Sequence, residues 1–285
     1  MDFKNYLVPG KTGLLTGIGG VSMSPLAEVL HDAGLDIRGS DMAESSNTLT
    51  LRERGIPIHI GHSADNVTDD ISFVIRTAAG HDDNPEVHEA HRRGIPVFER
   101  TQAWGALMRG YQNALCISGT HGKTTTTSMC THIMMAAEKD PTVMIGGTLP
   151  LLKACHRVGK GNTIIMESCE YYNSFLALNP TIAVVLNIEA DHLDFFKDLE
   201  DIKHSFRCFA ERVPAETGTV IANYDDANTM DALRGIARKV ITFGLNAKAD
   251  VYAQNIVHRG SVSEFDIYHR GNYFARVTLH VPGIH

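Results

Sequence analysis

The feature that most constrains this chain is a glycine loop between an apolar run and a helix. Ala114–Ser118 reads as a buried strand and Lys123–Ala137 as a helix, with Gly119-Thr120-His121-Gly122-Lys123-Thr124-Thr125 across their junction. A glycine-rich turn at a helix N-terminus aims unpaired backbone N–H groups at an anion, and the helix dipole adds to the attraction. Lys123 is placed to reach the β- and γ-phosphates of a nucleotide, and the Thr124 hydroxyl to bind Mg2+. The usual phosphate-loop spacing puts the first glycine at the position of Ile117. Here it is Gly119, so the loop is a shortened form. The competing reading is a plain strand-to-helix turn that carries Lys and Thr by chance. A lysine in such a loop is expected to contribute no core packing.

The rest of the chain supplies a setting for that loop. Short strands at Gly13–Thr16, Leu35–Arg38, Ile71–Ile75 and Ile95–Phe98 alternate with helices at Thr48–Arg54, Glu86–Arg93 and Thr101–Met108. After a linker at Arg109–Asn113 the alternation resumes, with strands near Thr163–Met166, Ile182–Leu186 and Thr219–Ala222. Helices follow at Leu199–Arg212 and Ala227–Arg234. This order predicts an α/β fold with doubly wound parallel sheets. From Val251 the pattern changes to antiparallel hairpins that turn at Arg259-Gly260 and Arg270-Gly271-Asn272. The expected domains are 1–110 and 111–285. A length of 285 residues agrees with two.

Composition removes several classes. With 43% hydrophobic and 21% charged residues, neither disorder nor a disulfide mini-scaffold is expected. A net charge of −7 argues against a general nucleic-acid surface. The 5 cysteines include no CxxC pair and read as free thiols of a reducing compartment. No signal peptide and no apolar stretch of membrane-span length is found, so a cytoplasmic protein is expected.

Three further stretches carry chemistry. Asn162–Glu170 is a strand that delivers Glu167 to the ligand edge of the sheet, where a carboxylate suits Mg2+ or its water; the alternative is a loop cap. Asn187-Ile188-Glu189-Ala190-Asp191-His192-Leu193-Asp194 follows another strand. A site with two divalent ions would use both Glu167 and His192, while a lone His is more commonly structural. Near the N-terminus, Gly17-Ile18-Gly19-Gly20-Val21-Ser22 nearly matches the dinucleotide fingerprint, with Ser22 in place of its third glycine. Asp41, beside Ser40 after the second strand, stands where an acidic residue meets a ribose hydroxyl. The ligand is a diphosphate compound such as NAD or a UDP-sugar, with the choice open.

Taken in order, these marks resemble the Mur ligase family over essentially all 285 residues. They include Gly17–Ser24, Gly39-Ser40-Asp41, Gly61-His62, Asp83-Asn84-Pro85-Glu86, Gly119–Thr127, Asn187–Asp194 and Gly283-Ile284-His285. The resemblance implies an N-terminal Rossmann-like domain for a UDP-sugar, a central P-loop-type ATPase domain and a further C-terminal domain. It implies ATP bound by Gly119 to Thr125, one Mg2+ on Thr124 and Glu167, and a second on His192, with Lys123, Glu167 and His192 catalytic. His285 looks like the first residue of an adenine-contacting pair. Gly17, Gly19, Gly20, Ser22, Ser40, Asp41 and His62 are the implied UDP-sugar residues. The implied reaction joins L-alanine to the lactyl carboxylate of UDP-N-acetylmuramate through an acyl phosphate, in peptidoglycan precursor synthesis. Ser22, Ala78 and Cys169 depart from residues common in the family, namely Gly, Ser and Asp. The chain is expected to be truncated after His285 and inactive in ligation by itself. The rivals are a sister ligase with another acceptor, a non-ligase P-loop ATPase, and an NAD-binding module.

Overall fold

The computed structural model describes residues 2–77 and 83–281. Ala78 and His285, both named above, lie outside the described residues. By its contacts the chain forms two compact units, Met1–Tyr111 with Lys139–Asn162, and Gln112–Glu138 with Thr163–His285. The segment Lys139–Asn162 therefore groups with the first unit, although the 110/111 boundary assigns it to the second.

In the first unit, strands β1 (Thr12–Thr16), β2 (Asp36–Asp41), β3 (Ile58–Ile60), β4 (Ile71–Arg76) and β5 (Val97–Glu99) form a parallel sheet. Their order is β3-β2-β1-β4-β5. Central β1 is buried at every position, as a strand covered on both faces should be. A Cβ at Gly13 on β1 would lie 2.2 Å from the Phe73 ring, so a larger residue there would have to displace that buried ring.

The helices are α1 (Ser24–Asp32), α2 (Ser46–Glu53), α3 (Pro85–Arg92) and α4 (Arg100–Met108). Local signals fix their starts. Ser45 and Thr48 form a reciprocal capping box on α2, and the Asn84 side chain accepts from the N–H groups of Glu86 and Val87 ahead of Pro85 on α3. The chain moves from β1 to β2 and β3 on one side, then to β4 and β5 on the other. That reversal opens a crevice beyond the carboxyl ends of β1 and its neighbours.

The chain enters the second unit with β6 (Asn113–Ser118) and α5 (Lys123–Ala136). It returns to the first unit for β7 (Thr142–Leu149) and β8 (Ala154–Arg157), an antiparallel pair that the sequence pattern did not reveal. The second unit is completed by β9 (Thr163–Glu167), β10 (Ile182–Val185), α6 (Leu199–Ala210), β11 (Thr219–Asn223), α7 (Ala227–Ala232), β12 (Lys239–Gly244), β13 (Val251–Arg259), β14 (Val262–His269) and β15 (Asn272–Leu279).

Neighbouring strands in this unit run β15-β14-β13-β12-β11-β10-β6-β9. Pairing is parallel from β6 to β9 and from β6 through β13, and antiparallel from β13 to β15. The α/β class with antiparallel strands toward the C-terminus is therefore as the sequence implied. On α6, capped by Asp198, the buried residues Ile202, Phe206, Phe209 and Ala210 recur at helical spacing. Phe206 and Phe209 pack on Phe175. Because β9 and β10 flank β6 on opposite sides, the loop leaving β6 sits at a second crevice. No described helix is long and apolar enough to cross a membrane.

Candidate functional site

The loop from β6 to α5 is tight because its glycines permit it. Gly119 has φ +144°, and a Cβ would lie 2.9 Å from the Cβ of Leu186; Gly122 caps α5 with φ +83°. Asn187, just past β10, pins the loop. Its Oδ1 accepts from the His121 N–H at 2.7 Å, its Nδ2 donates to the His121 carbonyl at 3.0 Å, and its own carbonyl accepts from the Thr120 N–H. Thr120 in turn accepts the Glu189 N–H through Oγ1 at 2.9 Å. Thr125 lies in the first turn of α5.

Lys123 folds back over this loop. Its Nζ donates to the carbonyls of Gly119 (2.6 Å) and Thr120 (3.1 Å) and pairs with Glu170 at 3.1 Å. The Lys123 side chain is 15% exposed and that of Glu170 only 2%. The expectation that Lys123 plays no packing role is thus corrected: it neutralises a buried carboxylate. Next to it, the Thr124 hydroxyl donates to Glu167 Oε1 at 3.0 Å, so the two expected Mg2+ ligands are adjacent.

His192 joins a different group. Its Nε2 lies 4.0 Å from Glu170 and 3.9 Å from Asp191, and ligand atoms of the three residues fall within 4.8 Å of one another. Two carboxylates and an imidazole are donors a divalent cation accepts. The Tyr171 ring stacks on the His192 ring at 4.4 Å, and its hydroxyl donates to Asp194. That hydrogen bond is the first cause of a Tyr171 hydroxyl pushed above the ordinary tyrosine range. Non-glycine residues with positive φ gather here, namely Tyr172 (+53°), Asn173 (+54°) and His192 (+52°). Cys169 is exposed beside Glu170.

Sequence reasoning assigned no role to Glu170 or Asn187. The spacing of Glu170, three residues after Glu167, was the available signal. β9 ends at Glu167, but the Ser168 N–H still donates to the Ile117 carbonyl, and this turns the next residues back over the start of α5.

The first unit holds the N-terminal set at its own crevice. Gly17 turns with φ +69°, and the Gly20 N–H closes the turn on the Gly17 carbonyl. Asp41 does not stand apart as a free ribose acceptor: its Oδ2 accepts the Gly19 N–H at 2.8 Å. A Cβ on Gly19 would lie 2.9 Å from that oxygen, so the contact needs glycine. Asn47, unassigned by sequence, donates to the Gly19 carbonyl. The Ser22 hydroxyl is held by the Arg100 guanidinium, and its carbonyl accepts from Trp104 Nε1. Ser40 and His62 come together around Glu86, which sequence reasoning also left without a role.

Comparison with known proteins gives the family. The family description "Mur ligase family, catalytic domain" matches residues 15–112, and "Mur ligase middle domain" matches residues 117–285. The UDP-N-acetylmuramate–L-alanine ligase of Agathobacter rectalis is 45% identical over 270 residues, covering 94% of this chain and 59% of that protein. The enzyme of the same name from Clostridium novyi is 44% identical over 269 residues, covering 94% and 58%. This chain spans about three fifths of the length of those curated relatives. The crystal structure of UDP-N-acetylmuramate-alanine ligase from Thermotoga maritima superposes with a TM-score of 0.77 at 29% identity, covering 95% of this chain and 61% of that one. A UDP-N-acetylmuramate:L-alanyl-γ-D-glutamyl-meso-diaminopimelate ligase from Neisseria meningitides shares the fold, with a TM-score of 0.83 at 24% identity over 96% and 89% of the two chains. The chain belongs to the Mur ligase family.

Proposed function

We propose that this chain supplies the two nucleotide-binding units of an ATP-dependent ligase that joins L-alanine to UDP-N-acetylmuramate. One observation carries the reading: a lysine-bearing phosphate loop shares its sheet edge with the Thr124–Glu167 pair and the Glu170–Asp191–His192 cluster. Such an edge handles a transferring phosphoryl group. Alanine as acceptor follows the names of the relatives above 40% identity.

A carboxylate is a poor acyl donor. In the proposed reaction the lactyl carboxylate takes the γ-phosphoryl group of ATP and becomes an acyl phosphate. The alanine amine then attacks the acyl carbon, and phosphate leaves from a tetrahedral intermediate. The loop N–H groups and Lys123 hold the phosphates in line. Lys123 exchanges its Glu170 partner for phosphate oxygens and offsets the charge that develops. Mg2+ held by Thr124 and Glu167, and a second ion held by His192 with Glu170 and Asp191, would supply further positive charge there. In the first unit the Gly17–Ser22 turn, Ser40, Asp41 and His62 hold the UDP-sugar. A cytoplasmic location accords with this reading and with five free thiols.

The test is phosphate release by a chimera of this chain with the remaining C-terminal portion of the Agathobacter rectalis relative. Release should require UDP-N-acetylmuramate and L-alanine together. Release with no sugar nucleotide would identify a non-ligase ATPase. Preference for a peptide over alanine would identify a sister ligase.

A further inference from the structure

Four polar side chains of the first unit converge below the crevice, and the proposed reading leaves two of them unused. Glu86 is fully buried, as is Ser40. The Ser40 hydroxyl donates to Glu86 Oε2 at 2.6 Å, and Asn66 Nδ2 donates to Glu86 Oε1 at 2.6 Å. His62 Nδ1 lies 3.0 Å from Glu86 Oε2 and 2.9 Å from Ser40 Oγ. Glu86 stands in the first turn of α3, where a carboxylate is favoured by the helix dipole. Its side chain nevertheless reaches away to β2 and to the loop after β3.

Counting protons settles how the ring is held. An ionised carboxylate only accepts, and a hydroxyl has one proton to give. Ser40 gives its proton to Glu86, so the 2.9 Å contact between Ser40 and His62 requires the ring to be the donor. Glu86 Oε2 makes the same demand on the same nitrogen. The proton therefore sits on Nδ1, and the neutral ring carries its lone pair on Nε2. Among the described residues, both hydrogen bonds of the His62 ring are made by Nδ1. The ring keeps 17% of its side-chain surface exposed, while its partner Glu86 keeps none. The two ring nitrogens diverge, so Nε2 faces away from the buried carboxylate.

We propose that Glu86 is a positioning residue that fixes the His62 tautomer, so that Nε2 presents an acceptor to an N–H or O–H group of the bound sugar nucleotide. The proposal rests on the UDP-sugar reading of this crevice. It adds two residues to it, Glu86 as the anchor and Asn66 as the group that orients the anchor. A buried carboxylate is expensive to keep unless its hydrogen bonds do something an apolar residue would not. Here they select one of two tautomers.

The experiment is a 15N–1H spectrum of the histidine rings in the ligand-free chain, recorded above the ordinary histidine titration range. The wild-type His62 should show Nδ1–H. In Glu86→Gln, the amide oxygen stays on Asn66 and its NH2 faces Ser40 and His62, so the ring should move to Nε2–H. Calorimetry should then show UDP-N-acetylmuramate binding weakened roughly tenfold to a hundredfold, the loss expected when an acceptor becomes a donor in a buried contact. ATP affinity should not change. In a His62→Ala background, Glu86→Gln should cause no further loss.

A proton on Nε2 in the wild-type chain, as the neutral ring or as imidazolium, overturns the proposal without any variant having to fold. So does an undiminished effect of Glu86→Gln in the His62→Ala background. A wild-type chain that shows Nδ1–H but fails to bind UDP-N-acetylmuramate would overturn the functional reading instead.

Discussion

The two units use the same device, a glycine turn leaving a central parallel strand, for different electrostatic work. In the first unit the turn after β1 carries no lysine. Its acidic neighbours are occupied by neutral donors, Asp41 by the Gly19 N–H and Glu86 by Ser40, Asn66 and the His62 ring. In the second unit the turn after β6 carries Lys123, which spans its own loop to a buried carboxylate, with further carboxylates and His192 beside it. A site of fixed dipoles recognises a ligand whose charge does not change. A site of exchangeable ion pairs follows charge as it moves during phosphoryl transfer. The first should therefore respond to mutation in affinity, and the second in rate and in stability.

The largest effect should come from Lys123→Ala. In the chimera proposed above, ligation should fall on the order of 10²–10³-fold, by analogy with the loss of one transition-state donor. The variant should also lose stability by roughly 3–5 kcal/mol, because the buried Glu170 carboxylate loses its lysine partner. Adding Glu170→Gln should recover part of that stability and none of the rate. Denaturant melts of the single and double variants check this. A single variant as stable as the wild type would mean that the Lys123–Glu170 pair is not held in solution.

That double role shows what was legible in the sequence. Strand, loop and helix around Gly119 follow from local rules, and so does the placement of Glu167 at the end of β9. Glu170 was missed because its position depends on how the chain bends after β9, through a backbone hydrogen bond to β6 that no periodicity encodes. Glu86 was missed for a related reason: it lies 46 residues from Ser40 and 24 from His62, so only the folded sheet brings them together. The pair β7–β8 was missed because its central Gly146-Gly147 breaks the apolar alternation of a strand. Asp41 ends β2, and its engagement with the Gly19 N–H, 22 residues away along the chain, is tertiary.

Asp41→Ala should come next in size. Weakening of UDP-N-acetylmuramate by roughly tenfold to a hundredfold corresponds to a hydrogen bond with a charged group, about 1.5–3 kcal/mol. ATP affinity should be unchanged. Calorimetry with each nucleotide separately decides it, and equal losses for both would erase the contrast between the units. Asn187→Ala should be smaller and opposite in selectivity. It removes two side-chain hydrogen bonds to His121 that order the phosphate loop. At about 1 kcal/mol each, ATP should weaken by roughly fivefold to thirtyfold while the sugar nucleotide is unaffected.

The smallest effect on binding should belong to Glu89, one turn beyond Glu86 on α3, and that makes it the control for the first unit. Its carboxylate accepts from Arg92 and Arg93, and those two guanidinium groups lower its pKa to about 2. The folded value is thus below the unfolded value of about 4.3. The stabilising contribution is complete above the unfolded value and is lost as pH falls toward the folded one. Glu89→Gln should therefore melt lower than the wild type at neutral pH, and the difference should shrink steadily on acidification through that window. Both nucleotide affinities should stay at wild-type values, because Glu89 pairs with Arg92 and Arg93 while Glu86 reaches to Ser40 on β2. A loss of UDP-N-acetylmuramate affinity in Glu89→Gln equal to that in Glu86→Gln would show that any disturbance of α3 weakens the site, and the first unit would then owe its affinity to the helix as a whole and not to its inward carboxylate.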